Sequence, residues 1–157
     1  MALLLHPLIN PVMLKRPLHS RFGPKVLAGI KCTTIRDTPW PVGKPIMLYH
    51  WSARAYNSPQ VDVAAVQVLF TCPIIIIRLP NERMSYQVDQ ESFAKLVNEI
   101  PETHPLSTPS SDLHLWQLEG FDSREDMDTW FRAKLKPGQT VHKHLMRFKL
   151  LNLEPGT

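Results

Sequence analysis

The chain has only two cysteines, Cys32 and Cys72, among 157 residues. Two cysteines make no disulfide framework, and their spacing matches no metal-binding pattern, so both read as reduced structural thiols. A membrane anchor is missing from the opening as well. The apolar start MALLLHPLINPVMLKRP is broken by Pro7 and Pro11, and no basic residue precedes it. It is too short to span a bilayer and lacks the charged start of a secretory signal, so a cytoplasmic protein with no membrane partner is expected. Internal repeats and low-complexity tracts are absent too, and nothing points to a repeat architecture.

Acid is scarce in two stretches. Residues 1–60 carry eight bases (Lys15, Arg16, Arg21, Lys25, Lys31, Arg36, Lys44, Arg54) against Asp37 alone, a balance of +7. The remainder, with ten bases and thirteen acids, is at −3, which leaves the net charge at +4. Residues 129–153 hold no acid at all. Such asymmetry suits a polarised surface that steers an anionic partner; scattered solvated charges are the plainer alternative.

What is present is ordinary for a globular protein: 43% hydrophobic and 20% charged residues, in a chain of one-domain length. Fifteen prolines predict short elements joined by stiff turns. Residues 1–21 read as an extended N-terminal arm, 22–153 as one domain, and 154–157 as a tail. Phe22 to Ala28 reads as a short helix ended by Gly29, and Lys31 to Arg36, with Thr33, Thr34 and Ile35 in a row, as a strand. Strands are expected over Ile46 to Trp51, Val61 to Phe70, Ile74 to Leu79 (interrupted by Pro73), and Met146 to Leu153. Helices are expected over Glu91 to Ile100 and Ser123 to Leu135, where apolar residues recur at helical spacing. Pro101 to Asp112 reads as a loop. Five or six strands with short helices, not alternating as βαβ units, predict an α+β fold, a closed or nearly closed mixed β-barrel with helices at its mouth. Ile46, Leu48, Ile75, Ile77, Phe148 and Leu150 are its expected core, with the helix carrying Trp130 packed on them.

Three segments resemble the ASCH family (the activating signal cointegrator homology domain), a branch of the PUA-like superfamily. They are Leu27-Ala28-Gly29-Ile30-Lys31-Cys32-Thr33-Thr34-Ile35-Arg36-Asp37, Glu119-Gly120-Phe121-Asp122-Ser123-Arg124-Glu125, and Pro137-Gly138-Gln139-Thr140 with the following Arg147-Phe148-Lys149. The family's G-x-K-x-x-E-x-R signature is met at Gly29, Lys31 and Arg36 and departed from at Thr34, where most members have Glu. The resemblance runs through most of 22–152; residues 78–113 have no counterpart and read as an insertion. With threonine at that position, A-G-x-K-x-x-T-I-R-D is similar to the small bacterial N4-acetylcytidine amidohydrolases, whose catalytic set is a Lys, a Thr and a Glu. By position, the resemblance implies a PUA-like barrel with Lys31, Thr34 and Glu125 as that set, and no cofactor.

Chemistry sets conditions on this assignment. A threonine hydroxyl attacks an amide only when a neighbour takes its proton, and Lys31 can do so only if burial or nearby positive charge lowers its pKa. Residues three apart on a strand face opposite ways, so Lys31 and Thr34 converge only if the chain is still turning at Lys31. Arg36 can bind phosphate or an oxyanion. Other readings stand beside these. Thr34 also fits a plain strand residue and Lys31 a surface charge; Glu125, three residues after Asp122, also fits a helix-capping box. Trp40, Tyr49 and Trp51 suit either base stacking or the core. His142 and His144 share a strand face without a third metal ligand, and so join a basic patch. Within that patch Lys143, Arg147 and Lys149 form a candidate phosphate track. The expected partner is RNA or a modified nucleoside, and the sharpest expected function is amidohydrolysis of an N4-acylcytidine. A non-catalytic RNA-binding module, a ribonuclease and a protein-interaction adaptor remain as alternatives.

Overall fold

The computed structural model describes residues 13–98 and 115–151. The first part of the expected arm, the loop over 101–112 and the tail lie outside the described residues.

The architecture is α+β: one mixed sheet of six strands with a few short helices. In chain order the elements are β1 (Leu14–Pro17), a 3-10 turn (Ser20–Phe22), α1 (Gly23–Leu27), β2 (Thr33–Arg36), β3 (Pro45–Trp51), β4 (Gln60–Arg78), β5 (Met84–Gln87), α2 (Gln90–Asn98), α3 (Leu115–Glu119), α4 (Arg124–Arg132) and β6 (Thr140–Leu150). The sheet order is β1-β3-β4-β6-β2, with β5 also paired to β4. The β1–β3 pair is parallel and the other ladders are antiparallel. Among the described residues, no helix is long and apolar enough to cross a membrane.

The sheet expected as a closed or nearly closed barrel does not close among the described residues, where no ladder joins the edge strands β1 and β2. Residues of both edges, Pro17 on one side and Thr34 to Arg36 on the other, instead line a common cleft. A ladder across that gap would fill it with backbone.

Strand β4 organises the sheet. The sequence suggests two strands split at Pro73, yet 19 residues run through it as one. Its first half pairs with β3 up to Gln67, and β5 begins only at Ile75. Pro73 therefore sits where β6 is its only strand neighbour, a position that tolerates a missing N–H. The even-numbered residues from Ala64 to Ile76 form the buried row, and Ile74 and Ile76 have no exposure at all. The expected core is thus corrected by one position in this run. Ile75 and Ile77 are only partly buried, and Leu150 is exposed, while Ile46, Leu48 and Phe148 lie in the core as expected. A run of four isoleucines carries no alternation, so it cannot reveal its inner face.

Caps place the helices. Asp89 accepts from the Ser92 N–H (2.8 Å) and caps α2. Ser123, not Asp122, caps α4 by accepting from the Asp126 N–H at 3.0 Å. β6 starts at Thr140, six residues before the expected Met146, because Thr140 to Lys143 complete the ladder to β4.

The row in β4 generates a stability test. Ile76→Ala is expected to cost about 2–5 kcal/mol and Ile75→Ala clearly less, read from urea unfolding midpoints at equal slope. Equal losses would mean that the register assigned to β4 is wrong.

Candidate functional site

The site begins with a turn. Helix α1 is only five residues long and closes with Gly29 at φ +74°. The Ile30 and Lys31 N–H groups both return to the Lys25 carbonyl, at 2.8 and 3.0 Å. Lys31 therefore precedes β2 and is not bound by the strand's alternation, which is the turning chain that convergence with Thr34 requires. The Cys32 N–H donates to the Leu118 carbonyl (2.9 Å), joining this lead-in to the end of α3.

Helix α3 was not anticipated, and it delivers the carboxylate. Glu119, its last residue, is buried with 3% exposure, and Lys31 with 4%. Lys31 Nζ donates to the Glu119 carbonyl at 2.7 Å and to the Thr33 carbonyl at 2.8 Å. Glu119 Oε1 lies 3.8 Å from the same nitrogen. The other carboxylate oxygen, Oε2, accepts from the Thr33 hydroxyl. Lys31 Nζ also lies 4.8 Å from the centre of the Phe22 ring. Burial pushes the Lys31 pKa below the ordinary lysine value; Glu119 opposes the shift and Arg36 adds to it.

Thr33 and Thr34 point to opposite sides of β2. The first reaches Glu119, and the second lines the cleft with Lys31, Arg36 and Glu119. Arg36 Nε donates to Thr34 Oγ1 at 2.9 Å. With that bond the hydroxyl oxygen accepts, and a positive group stands against it. The cleft, about 640 Å³ in volume, is walled on one side by Phe22, Phe121 and Trp130, whose rings meet edge to face at 5.2–5.8 Å. That is the size and lining of a small-molecule site. Lys134 and Lys143 stand in the same lining, Lys134 over the Trp130 ring at 4.1 Å and Lys143 paired with Asp37.

The expected residues scatter more than the sequence suggests. Lys31, Thr34, Arg36 and Lys143 meet in the cleft. Glu125 does not: its side chain is 76% exposed on α4 and faces Arg132 at 3.7 Å. It occupies the second position of a helix capped by Ser123, so neither catalytic geometry nor the capping box applies to it. Trp40 is buried outside the lining, beneath the Arg36 guanidinium at 4.7 Å, with its N–H on Met146 Sδ. Arg147 is 1% exposed and donates to the Cys32 carbonyl at 3.3 Å. The β4–β6 register shift explains it: Phe148 opposes Val68, but Arg147 opposes Phe70, which brings two consecutive residues to the buried row. Lys149 is exposed opposite Gln67, so the three basic residues form no continuous track. Among the described residues, no group of three His, Cys, Asp or Glu is placed to hold a metal.

Glu119 had one signal in the sequence. It is a carboxylate set between Leu118 and Phe121, just before a glycine, where a surface glutamate gains nothing from apolar neighbours. No family model, curated protein or solved structure matches the chain.

Gly120 locks the arrangement, with φ +89° and an absent Cβ that would lie 3.0 Å from Lys31 Cβ. Gly120→Ala is expected to destabilise the protein by about 1–3 kcal/mol, since the backbone is strained for any side chain and the lysine stem must move. Urea denaturation measures it. A loss within error of Gly138→Ala, where φ is +77° and nothing lies within 4 Å, would show that the contact with Lys31 contributes nothing.

Proposed function

We propose that the cleft hydrolyses an amide, removing the acyl group from the exocyclic amine of an N4-acylcytidine, with Thr34 as nucleophile, Lys31 as base and Glu119 as the carboxylate that holds the lysine. The observation that carries this reading is the convergence of Lys31, Thr34 and Glu119 on one aromatic-walled cleft, with the lysine buried and fixed by two carbonyls. The same reading assigns the chain to the ASCH branch of the PUA-like class, here with an open sheet, and to the cytoplasm, where the free thiols of Cys32 and Cys72 stay reduced.

The chemistry follows from the donor count of an amine. Neutral Lys31 has two N–H groups and one lone pair. The Thr33 and Glu119 carbonyls take the two hydrogens, and the lone pair is left to accept the Thr34 proton. Thr34 Oγ1 then bonds to the acyl carbon as Lys31 becomes an ammonium. Arg36 faces the developing negative charge. When the C–N bond breaks, Lys31 returns its proton to the departing N4 nitrogen, and the acyl group rests on Thr34 as an ester. A water molecule, deprotonated by Lys31, attacks that ester, and as the Thr34 C–O bond breaks Lys31 returns the proton to Thr34 Oγ1 and the carboxylic acid leaves. Glu119 steadies the ammonium form between these steps and so opposes, without reversing, the drop caused by burial.

Two tests follow. Thr34→Ala and Lys31→Ala are each expected to abolish acetate release from N4-acetylcytidine, Thr34→Ala with the fold retained and Lys31→Ala with a loss of stability from the stranded Glu119, so that its activity is read on the folded fraction. Glu119→Gln is expected to slow release at least tenfold (about 1.4 kcal/mol), and Glu125→Gln should leave it near wild type. Wild-type protein inert toward this substrate would remove the proposal, and activity surviving Lys31→Ala would remove the base. The second test is the pH profile. A base works only when unprotonated, so kcat/KM should rise with pH through the lowered Lys31 pKa, with its midpoint below the 10.5 of a free lysine. Glu119→Gln takes away the group that opposes the lowering, and the rising limb should move to still lower pH. A limb that stays in place, or moves upward, excludes Glu119 as the partner of the titrating group.

A further inference from the structure

An aromatic ladder leaves the cleft at a point the amide chemistry does not use. Tyr49 and Trp51, two apart on β3, stand on one side of the strand, with ring centres 5.6 Å apart. Trp51 lines the cleft, and Tyr56 continues outward from it at 5.2 Å. Tyr56 is 85% exposed, the most exposed large apolar side chain among the described residues. It also adopts φ +65°, a conformation that costs a bulky residue energy and persists only where its surroundings impose it. The loop does impose it. Ser58 Oγ accepts from the Ala53 N–H (3.1 Å) and donates to the Arg54 carbonyl (2.8 Å), while the Asn57 N–H closes on the same Arg54 carbonyl at 3.1 Å. The braced turn thus holds the Tyr56 ring beside Trp51 while leaving most of it open to water.

The surrounding charge identifies the occupant. Arg36, Lys134 and Lys143 line the cleft that the ladder enters. Arg16, on β1 beside β3, is close enough to Arg36 for their charges to oppose each other. Cations along a path of aromatic faces complement a backbone of phosphates joined to bases. An acidic peptide would meet the cations but has no series of flat rings to place on the ladder. Duplex bases hide their faces in the stack. We infer that Trp51 and Tyr56 stack the bases flanking the one in the cleft, so that the substrate is a cytidine within a single-stranded polynucleotide instead of a free nucleoside. This rests on the amidohydrolase reading for what happens inside the cleft, but the ladder itself is tested by binding alone.

The experiment is fluorescence anisotropy with labelled oligocytidylate of about ten nucleotides, at low and at physiological salt, on the full chain. The wild type is expected to bind the single strand, more weakly as salt rises, and to bind a duplex of equal length less well. Tyr56→Ala and Trp51→Ala should each weaken binding at least about fivefold, the loss of one stacked base. Tyr56→Phe should bind like wild type and Tyr56→Leu like the alanine variant, because the ring face and not its apolarity is what stacks. Tyr56 is exposed, so its variants keep the fold. Unchanged affinity in Tyr56→Ala, duplex bound as well as single strand, or no oligonucleotide binding at low salt would overturn the inference; the last result would direct the ladder to a protein partner. Acetate release from the free nucleoside without strand binding would leave the amidohydrolase reading intact and sink this one. Ladder-dependent strand binding with no deacylation would do the reverse.

Discussion

The site depends on one buried contact, the clasp between Glu119 and the Lys31–Thr33 segment. Lys31 Nζ meets the Glu119 carbonyl, the Thr33 hydroxyl meets the Glu119 carboxylate, and the Cys32 N–H meets the Leu118 carbonyl. These bonds join segments 88 residues apart. Two charged groups at 3–4% exposure are not a source of stability by themselves, since the cost of desolvating them offsets much of their attraction. Removing one partner would leave the other charge stranded, so the clasp is held together as a unit. Its return is positional: a lysine held in the turn between α1 and β2, its stem pressed against a glycine that has no room for a side chain.

The open sheet serves the same end. Among the described residues β1 and β2 are its edges, and their residues border the cleft. Edge strands invite unwanted pairing, and here both are only four residues long. Rigidity comes from elsewhere, from the central β4–β6 ladder, whose interior row runs from Ala64 to Ile76. The polar groups of the cleft thus stand on short segments braced against a long, well-packed strand. The hairpin between β3 and β4 extends the same scaffold outward as a set of aromatic steps.

Much of the local structure was legible. Glycine at the end of α1, the β-branched run in β2, the helical spacing in α4 and the alternation in β3 each report a preference acting over a few residues. Lys31, Thr34 and Arg36 were singled out together by the motif that the segment from Gly29 to Asp37 resembles, all within six positions. Three errors share a different cause. The isoleucine run has no polar partner to mark its outer face, so its register came from β6 and not from itself. Arg147 was assigned to the surface by its charge, yet the shift opposite Phe70 turned it inward. Glu125 was preferred to Glu119 as the carboxylate, although it lies on the solvent side of α4.

What the sequence determined by itself is therefore the α+β class and most of the longer elements, because those depend on steric and periodic preferences carried by neighbouring residues. Only the tertiary structure decided which carboxylate lines the cleft, whether the sheet closes, and which cations reach it. Each of those is settled by contacts between residues far apart in the chain, whose formation depends on desolvation and packing that no local pattern encodes.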